Sequence, residues 1–281
     1  DRLDGYHTYN RCCRPTQDKG RHKDNLSRYG DDRRAYENWA DGNWKAANRL
    51  MKVYNQHGVS ADHIGPISLG FYHRPRFQPM TIAEQSAKNN RMSLSDVQLL
   101  LGDEQKGDKV ISWHSRFLWN KLKHSIDNDR EAEIASSYLR VNLHFVLLTF
   151  AKIKLQGHIE FLEYLLKDQL KYSYYDYEFE GFDPSTGEYE EMISKKLVGK
   201  NQQNNAERYV DIALESLEKY IDKDNRNVMI SRYYDDYEAN LDKLFEYLEN
   251  EDFVNGKLML ERIFENQATI FYDEYLNEID L

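Results

Sequence analysis

Ser60-Ala61-Asp62-His63-Ile64-Gly65-Pro66-Ile67-Ser68-Leu69-Gly70 is followed by Phe77-Gln78-Pro79-Met80 and then by Gln85-Ser86-Ala87-Lys88-Asn89-Asn90-Arg91. Breakers are dense around the first two pieces (Gly58, Gly65, Pro66, Gly70, Pro75, Pro79). They surround short apolar or aromatic stretches at Ile64, Ile67, Leu69 and Phe71, a texture that predicts a small bent hairpin over 58–80. Thr81 stands where a helix cap belongs and Glu84 completes a capping-box pattern, so a helix is expected from Thr81 to about Arg91. In a strand, neighbouring side chains leave from opposite faces, so Asp62 and His63 would look in opposite directions.

Outward from this segment the texture changes. The first thirty residues are polar and interrupted by Gly5, Pro15, Gly20 and Gly30, and a helix is expected from about Asp32 to Gln56 with a break at Gly42. Downstream, Ile134, Tyr138, Val141, Phe145, Leu148 and Leu155 fall at helical spacing. The additional Leu139, Leu143, Val146 and Leu147 mark a helix packed on several sides. Residues 175–204 read as a long loop, with Asp183-Pro184-Ser185-Thr186-Gly187 as a turn. Three amphipathic stretches complete the chain, marked by Val210, Leu214, Leu217 and Ile221; by Leu241, Leu244, Phe245 and Leu248; and by Leu260, Ile263, Phe264 and Ile270.

The formal charge of −10 is divided unevenly. Residues 1–125 carry 21 Lys+Arg against 14 Asp+Glu, a net of +7, whereas 126–281 carry 17 against 34, a net of −17. A polyanion is therefore expected on the first part, where each cation that neutralises a phosphate also releases counterions. Two domains are expected accordingly, 1–125 with the hairpin and its basic flanks, and 126–281 as an acidic helical domain. The only cysteines, Cys12 and Cys13, are adjacent, which is poor geometry for a long-range disulfide framework and suits a reducing cytoplasm. A metal site from these two with His7 and His22 is disfavoured, because adjacent cysteines share a tetrahedral ion poorly. The run from Phe145 to Ala151 is far short of a membrane span, so no membrane partner is expected. The chain opens on Asp1 rather than Met, as a processed chain or a piece of something longer would.

The Asp-His-Ile-x-Pro element, with Gln-Pro-Met and Ser-x-Lys behind it, resembles the HNH (ββα-metal, His-Me finger) nuclease signature. The resemblance implies a mainly α fold with a small ββα-metal core and a large C-terminal helical domain. It implies an endonuclease hydrolysing phosphodiester bonds of double-stranded DNA with Mg²⁺ or Mn²⁺. On that pattern His63 takes the water proton and Asp62 holds the metal, with Gln85 or Asn89 as the helical ligand. Arg74, Arg76, Lys88 and Arg91 would contact phosphates. The chain departs from the pattern where Arg76 replaces the middle Asn and Gln85 replaces the helical Asn or His. Thr81 and Glu84 replace the flanking cysteines, so no structural zinc is expected. The large helical remainder looks most like a type II restriction endonuclease, and the motif residues are similar to the type IIS enzymes; a homodimer is compatible with that class.

The chemistry suits these residue types without the resemblance. Hydrolysis of a phosphodiester needs a deprotonated water and a cation against the charge on phosphate and leaving oxygen. An imidazole with a pKa of about 6.5 accepts a proton at neutral pH, and a hard Mg²⁺ is content with a carboxylate, an amide oxygen and the phosphate. Alternatives stand beside this reading. One is a DNA-binding or assembly module that no longer hydrolyses; another makes the acidic helices a protein-interaction domain. Lys106, Lys109, Trp113, His114, Arg116, Trp119, Lys121, Lys123 and His124 mix basic and aromatic side chains at near-helical spacing, which suits a DNA-facing helix or, equally, core packing of the tryptophans. Tyr172 to Tyr177 are expected to pack rather than stack on bases, and Asp235-Asp236 and Glu190-Glu191 to be solvated.

Overall fold

A computed structural model describes residues 35–88, 90–197, 200–221, 230 and 232–280. Cys12, Cys13, His7, His22, the expected helix start at 32–34 and Asn89 lie outside the described residues. In chain order the elements are α1 (Ala35–Asn38), α2 (Trp44–Gln56), β1 (Ser60–His63), a 3-10 turn (Ile67–Leu69), β2 (Phe77–Met80), α3 (Ile82–Lys88), α4 (Leu94–Gln105) and α5 (Arg116–Leu122). The long α6 (Asp129–Leu155) and α7 (Ile159–Leu170) precede β3 (Tyr175–Glu180) and β4 (Glu191–Lys196), and α8 (Lys200–Ile221), α9 (Tyr237–Glu249) and α10 (Phe253–Ile279) close the chain.

The hairpin is present where the breakers predict it. β1 and β2 pair antiparallel with Asp62 opposite Gln78 and His63 opposite Phe77. Thr81 caps α3 as expected: its hydroxyl accepts from the Glu84 amide at 3.2 Å, and the Glu84 carboxylate accepts from the Thr81 amide at 2.8 Å. The helix ends at Lys88, short of Arg91, and packs against both strands. Gly42, at φ +119, sits in the break between α1 and α2.

α6 is the axis of the helical body. Its Asn128 side chain accepts from the Glu131 amide at 3.0 Å, and Leu143, Phe145, Val146, Leu147 and Phe150 are all buried, so it is packed on several sides as expected. By length and composition this helix does reach what a membrane span requires, contrary to the reading of its apolar run. Yet 72% of the apolar window is buried inside the protein, which marks a core helix. Its aromatic side chains meet those of α10, with Phe145 and Phe150 at 6.1 and 5.9 Å from Phe264. The same core continues into the first half of the chain through Trp39, Phe71, Val97, Leu118 and Trp119.

Two expectations are corrected. Residues 175–204 do not form a long loop: β3 and β4 make an antiparallel hairpin, and α8 begins at Lys200. Tyr175, Tyr177 and Phe179 alternate with Asp176, Glu178 and Glu180 at a strand's period, a signal outweighed in the loop reading by the acidic, Gly-, Asn- and Gln-rich composition of 175–204. β3 gains its partner surface from α2, where Arg49 Nε donates to the Tyr177 carbonyl at 3.2 Å. Nor do residues 106–124 form one DNA-facing helix. α4 stops at Gln105, Gly107 turns at φ +94, and the backbone at 110–112 pairs with 70–72 through Tyr72 N to Val110 O and Ser112 N to Gly70 O. Trp119 is fully buried, its indole donating to Glu104 at 3.0 Å.

The β3–β4 hairpin bears on the site. A second core of Ala47, Leu50, Tyr54, Ala61 and Phe77 receives Phe179, Phe182 and Tyr189 from it. The Tyr54 hydroxyl lies 3.0 Å from the carbonyls of both Phe77 and Gly187, and Gly187, at φ +76, has no room for a Cβ against that hydroxyl.

Candidate active site

β1 carries two environments on alternate residues. Ser60 and Asp62 look toward α3, whereas Ala61 and His63 look toward the second core. On the α3 side, positions 85 and 88 are one turn apart and both reach the strand. Gln85 Oε1 accepts from the Ser60 hydroxyl at 2.8 Å, and its amide nitrogen donates to the Ala61 carbonyl at 3.4 Å. Lys88 Nζ donates to Asp62 Oδ2 at 2.6 Å, to Asp96 Oδ1 at 3.1 Å and to the His63 carbonyl at 3.4 Å. Gln78, across from Asp62 on β2, gives one amide to both carboxylates, at 3.2 Å to Asp62 and 2.9 Å to Asp96. The other Asp62 oxygen, Oδ1, takes no hydrogen bond among the described residues.

On the opposite side His63 lies with its ring 4.7 Å from Phe77 and 5.3 Å from His73. Nε2 is buried and has no hydrogen-bond partner, although the residue as a whole keeps some exposure. Burial, reinforced by the nearby His73 and Lys88 charges, holds the imidazole well below its ordinary value, so it is neutral at pH 7. Burial alone lowers His73 to about 4.

The structure thus brings Asp62, Gln85 and Lys88 together and puts His63 on the reverse of the same strand. Among the described residues no cluster of three or more His, Cys, Asp or Glu forms a metal site. The donors on this face are still of the kind a hard divalent cation takes, because Asp62 keeps one oxygen free of hydrogen bonds among the described residues and Gln85, whose amide oxygen accepts from Ser60, faces the same strand; such ions retain waters and take phosphate oxygens. The four cations expected on phosphate are all engaged. Arg74 pairs with Asp103 and Asp108, and Arg76 lies 3.6 Å from Asp103 and 3.7 Å from Glu188. Lys88 is shared between two carboxylates, and Arg91 lies 3.5 Å from Glu133. A phosphate arriving at any of them would meet a carboxylate already in place.

A family model described as "Type II restriction endonuclease (RE_Alw26IDE)" matches residues 1–279. The chain belongs to that family. No curated protein and no solved structure matches it. As a type II restriction endonuclease it binds DNA and cleaves it. In this restriction endonuclease three residues near Asp62 carry no role from sequence reasoning. Gln78 lies inside the quoted motif, and Ser60 precedes Asp62 by one strand repeat, so both were within reach of a face-by-face reading. Asp96 announces itself only as the last member of a Ser93-x-x-Asp96 capping box, which predicts a helix start and nothing about Asp62.

Proposed function

We propose that this restriction endonuclease cuts DNA as a metal-dependent hydrolase of the HNH kind, through the unit β1–β2–α3. One observation carries the reading: an antiparallel hairpin is followed directly by a short helix packed on both strands, and Asp62 with His63 ends its first strand while Gln85 and Lys88 face it from the helix. Asp62 and Gln85 would hold Mg²⁺ or Mn²⁺, which when bound offsets charge on the scissile phosphate and leaving oxygen. His63, already neutral, would have to accept the proton of the attacking water on Nδ1, because Nε2 is buried; the water oxygen forms the new bond to phosphorus, and the departing oxygen takes a proton from solvent. Lys88 keeps one side of Asp62 occupied, leaving the other for the cation.

The test is cleavage of supercoiled plasmid with Mg²⁺, with Mn²⁺ and with EDTA, comparing the parent chain with Asp62→Ala and His63→Ala. Metal-dependent cutting that both substitutions abolish supports the reading. Cutting in EDTA, or cutting that survives both substitutions, overturns it. A second reading, a DNA-binding module that no longer hydrolyses through this unit, draws on the buried, partnerless Nε2 of His63. Metal-independent binding by a parent chain that cuts nothing would favour it.

A further inference from the structure

Asp62, Lys88 and Asp96 form a closely held triad whose side chains are 14%, 10% and 3% exposed. Two carboxylates against one ammonium leave one negative charge in a place with little water. A divalent cation and one phosphodiester, added together, would bring that charge to zero. Asp96 is anchored at both ends. Its Oδ2 accepts from the Ser93 amide and hydroxyl at 2.9 and 3.0 Å, closing the capping box of α4, and its Oδ1 accepts from Gln78 and Lys88. The same Gln78 and Lys88 hold Asp62 Oδ2.

From this arrangement we infer that Asp96 is a positioning residue for the metal-binding carboxylate: it draws Lys88 and Gln78 partly off Asp62, keeping that carboxylate aimed and able to accept a cation. The inference rests on the proposed role of Asp62. Without the Asp96 charge, Lys88 is left with a single carboxylate and bears fully on Asp62, where it competes with the incoming ion. A partner of a ligating carboxylate typically matters by about 10- to 100-fold in metal affinity.

The experiment titrates Mn²⁺ into the full chain without DNA, by calorimetry, and measures kcat and KM for plasmid cleavage separately. It uses the parent, Asp96→Asn, Ser93→Ala and Asp62→Ala. Ser93→Ala removes the hydroxyl of the same cap and leaves the Asp96 charge, so it reports the structural role of the cap alone. Expected is an Mn²⁺ affinity lowered about 10- to 100-fold in Asp96→Asn, with kcat reduced and KM for DNA held, while Ser93→Ala lowers the melting temperature and leaves Mn²⁺ affinity unchanged. Mn²⁺ affinity unaltered in Asp96→Asn, or lowered equally in Ser93→Ala, overturns the inference while Asp62→Ala still abolishes binding. If Asp62→Ala binds Mn²⁺ as the parent does, it is the metal-site reading itself that fails, and this inference with it.

Discussion

The two faces of β1 solve opposite electrostatic problems with adjacent residues. On one face Asp62 is kept company by an ammonium and an amide, so a charged group sits comfortably in a nearly enclosed place. On the other, His63 lies against Phe77 and His73 with Nε2 unpartnered, so the neutral form is the one that fits. A strand does this at no cost in chain length, because its side chains alternate. The contrast shows how adjacent residues of one strand meet unlike surroundings: polar partners on one face, and on the other burial and nearby positive charges that keep the imidazole neutral.

Four substitutions or conditions probe that contrast, beginning with the one expected to matter most. His63→Ala should lower plasmid cleavage roughly a thousandfold while gel-shift affinity for DNA holds, since proton acceptance by a placed side chain contributes on that order; cleavage close to the parent's would detach the apolar face from the chemistry. Lys88→Ala removes the cation between two enclosed carboxylates and should cost about 3 kcal/mol of stability in urea unfolding. An unchanged midpoint would mean that water already serves Asp62 and Asp96.

The third probe is pH. Folded His73 titrates at about 4 and an unfolded imidazole at about 6.5, so the unfolded chain holds more protons between those values. Its contribution is fully present above about pH 7 and is lost as pH falls, amounting to about 2 kcal/mol by pH 5. His63 and His114, both lowered by burial, act in the same direction. Thermal melts of His73→Gln should therefore fall less steeply from pH 7 to 5 than those of the parent; parallel curves would show that His73 does not drive the acid loss. The smallest effect is expected from Tyr54→Phe, which removes the hydroxyl between Phe77 and Gly187 and should cost about 1 kcal/mol. Limited proteolysis within 183–187 should quicken in this variant, and unchanged cleavage there would show that apolar packing alone docks the β3–β4 hairpin.

Much of this was written locally in the chain. Breakers around 58–80 and the Thr81–Glu84 cap determined the hairpin and the start of α3, and helical spacing determined α6 and the three terminal helices, because turns, caps and periodicity act over a few residues. Strand alternation already separated Asp62 from His63. Tertiary structure alone decided what each of them meets. Lys88, an expected phosphate contact, is held by Asp62 and by Asp96 of a different helix, and Arg74 and Arg76 are claimed by Asp103 from α4. β3 and β4 likewise depend on α2, far away in the chain. Charge pairing and burial follow distance in space, and contacts between residues remote in sequence leave no spacing by which to read them.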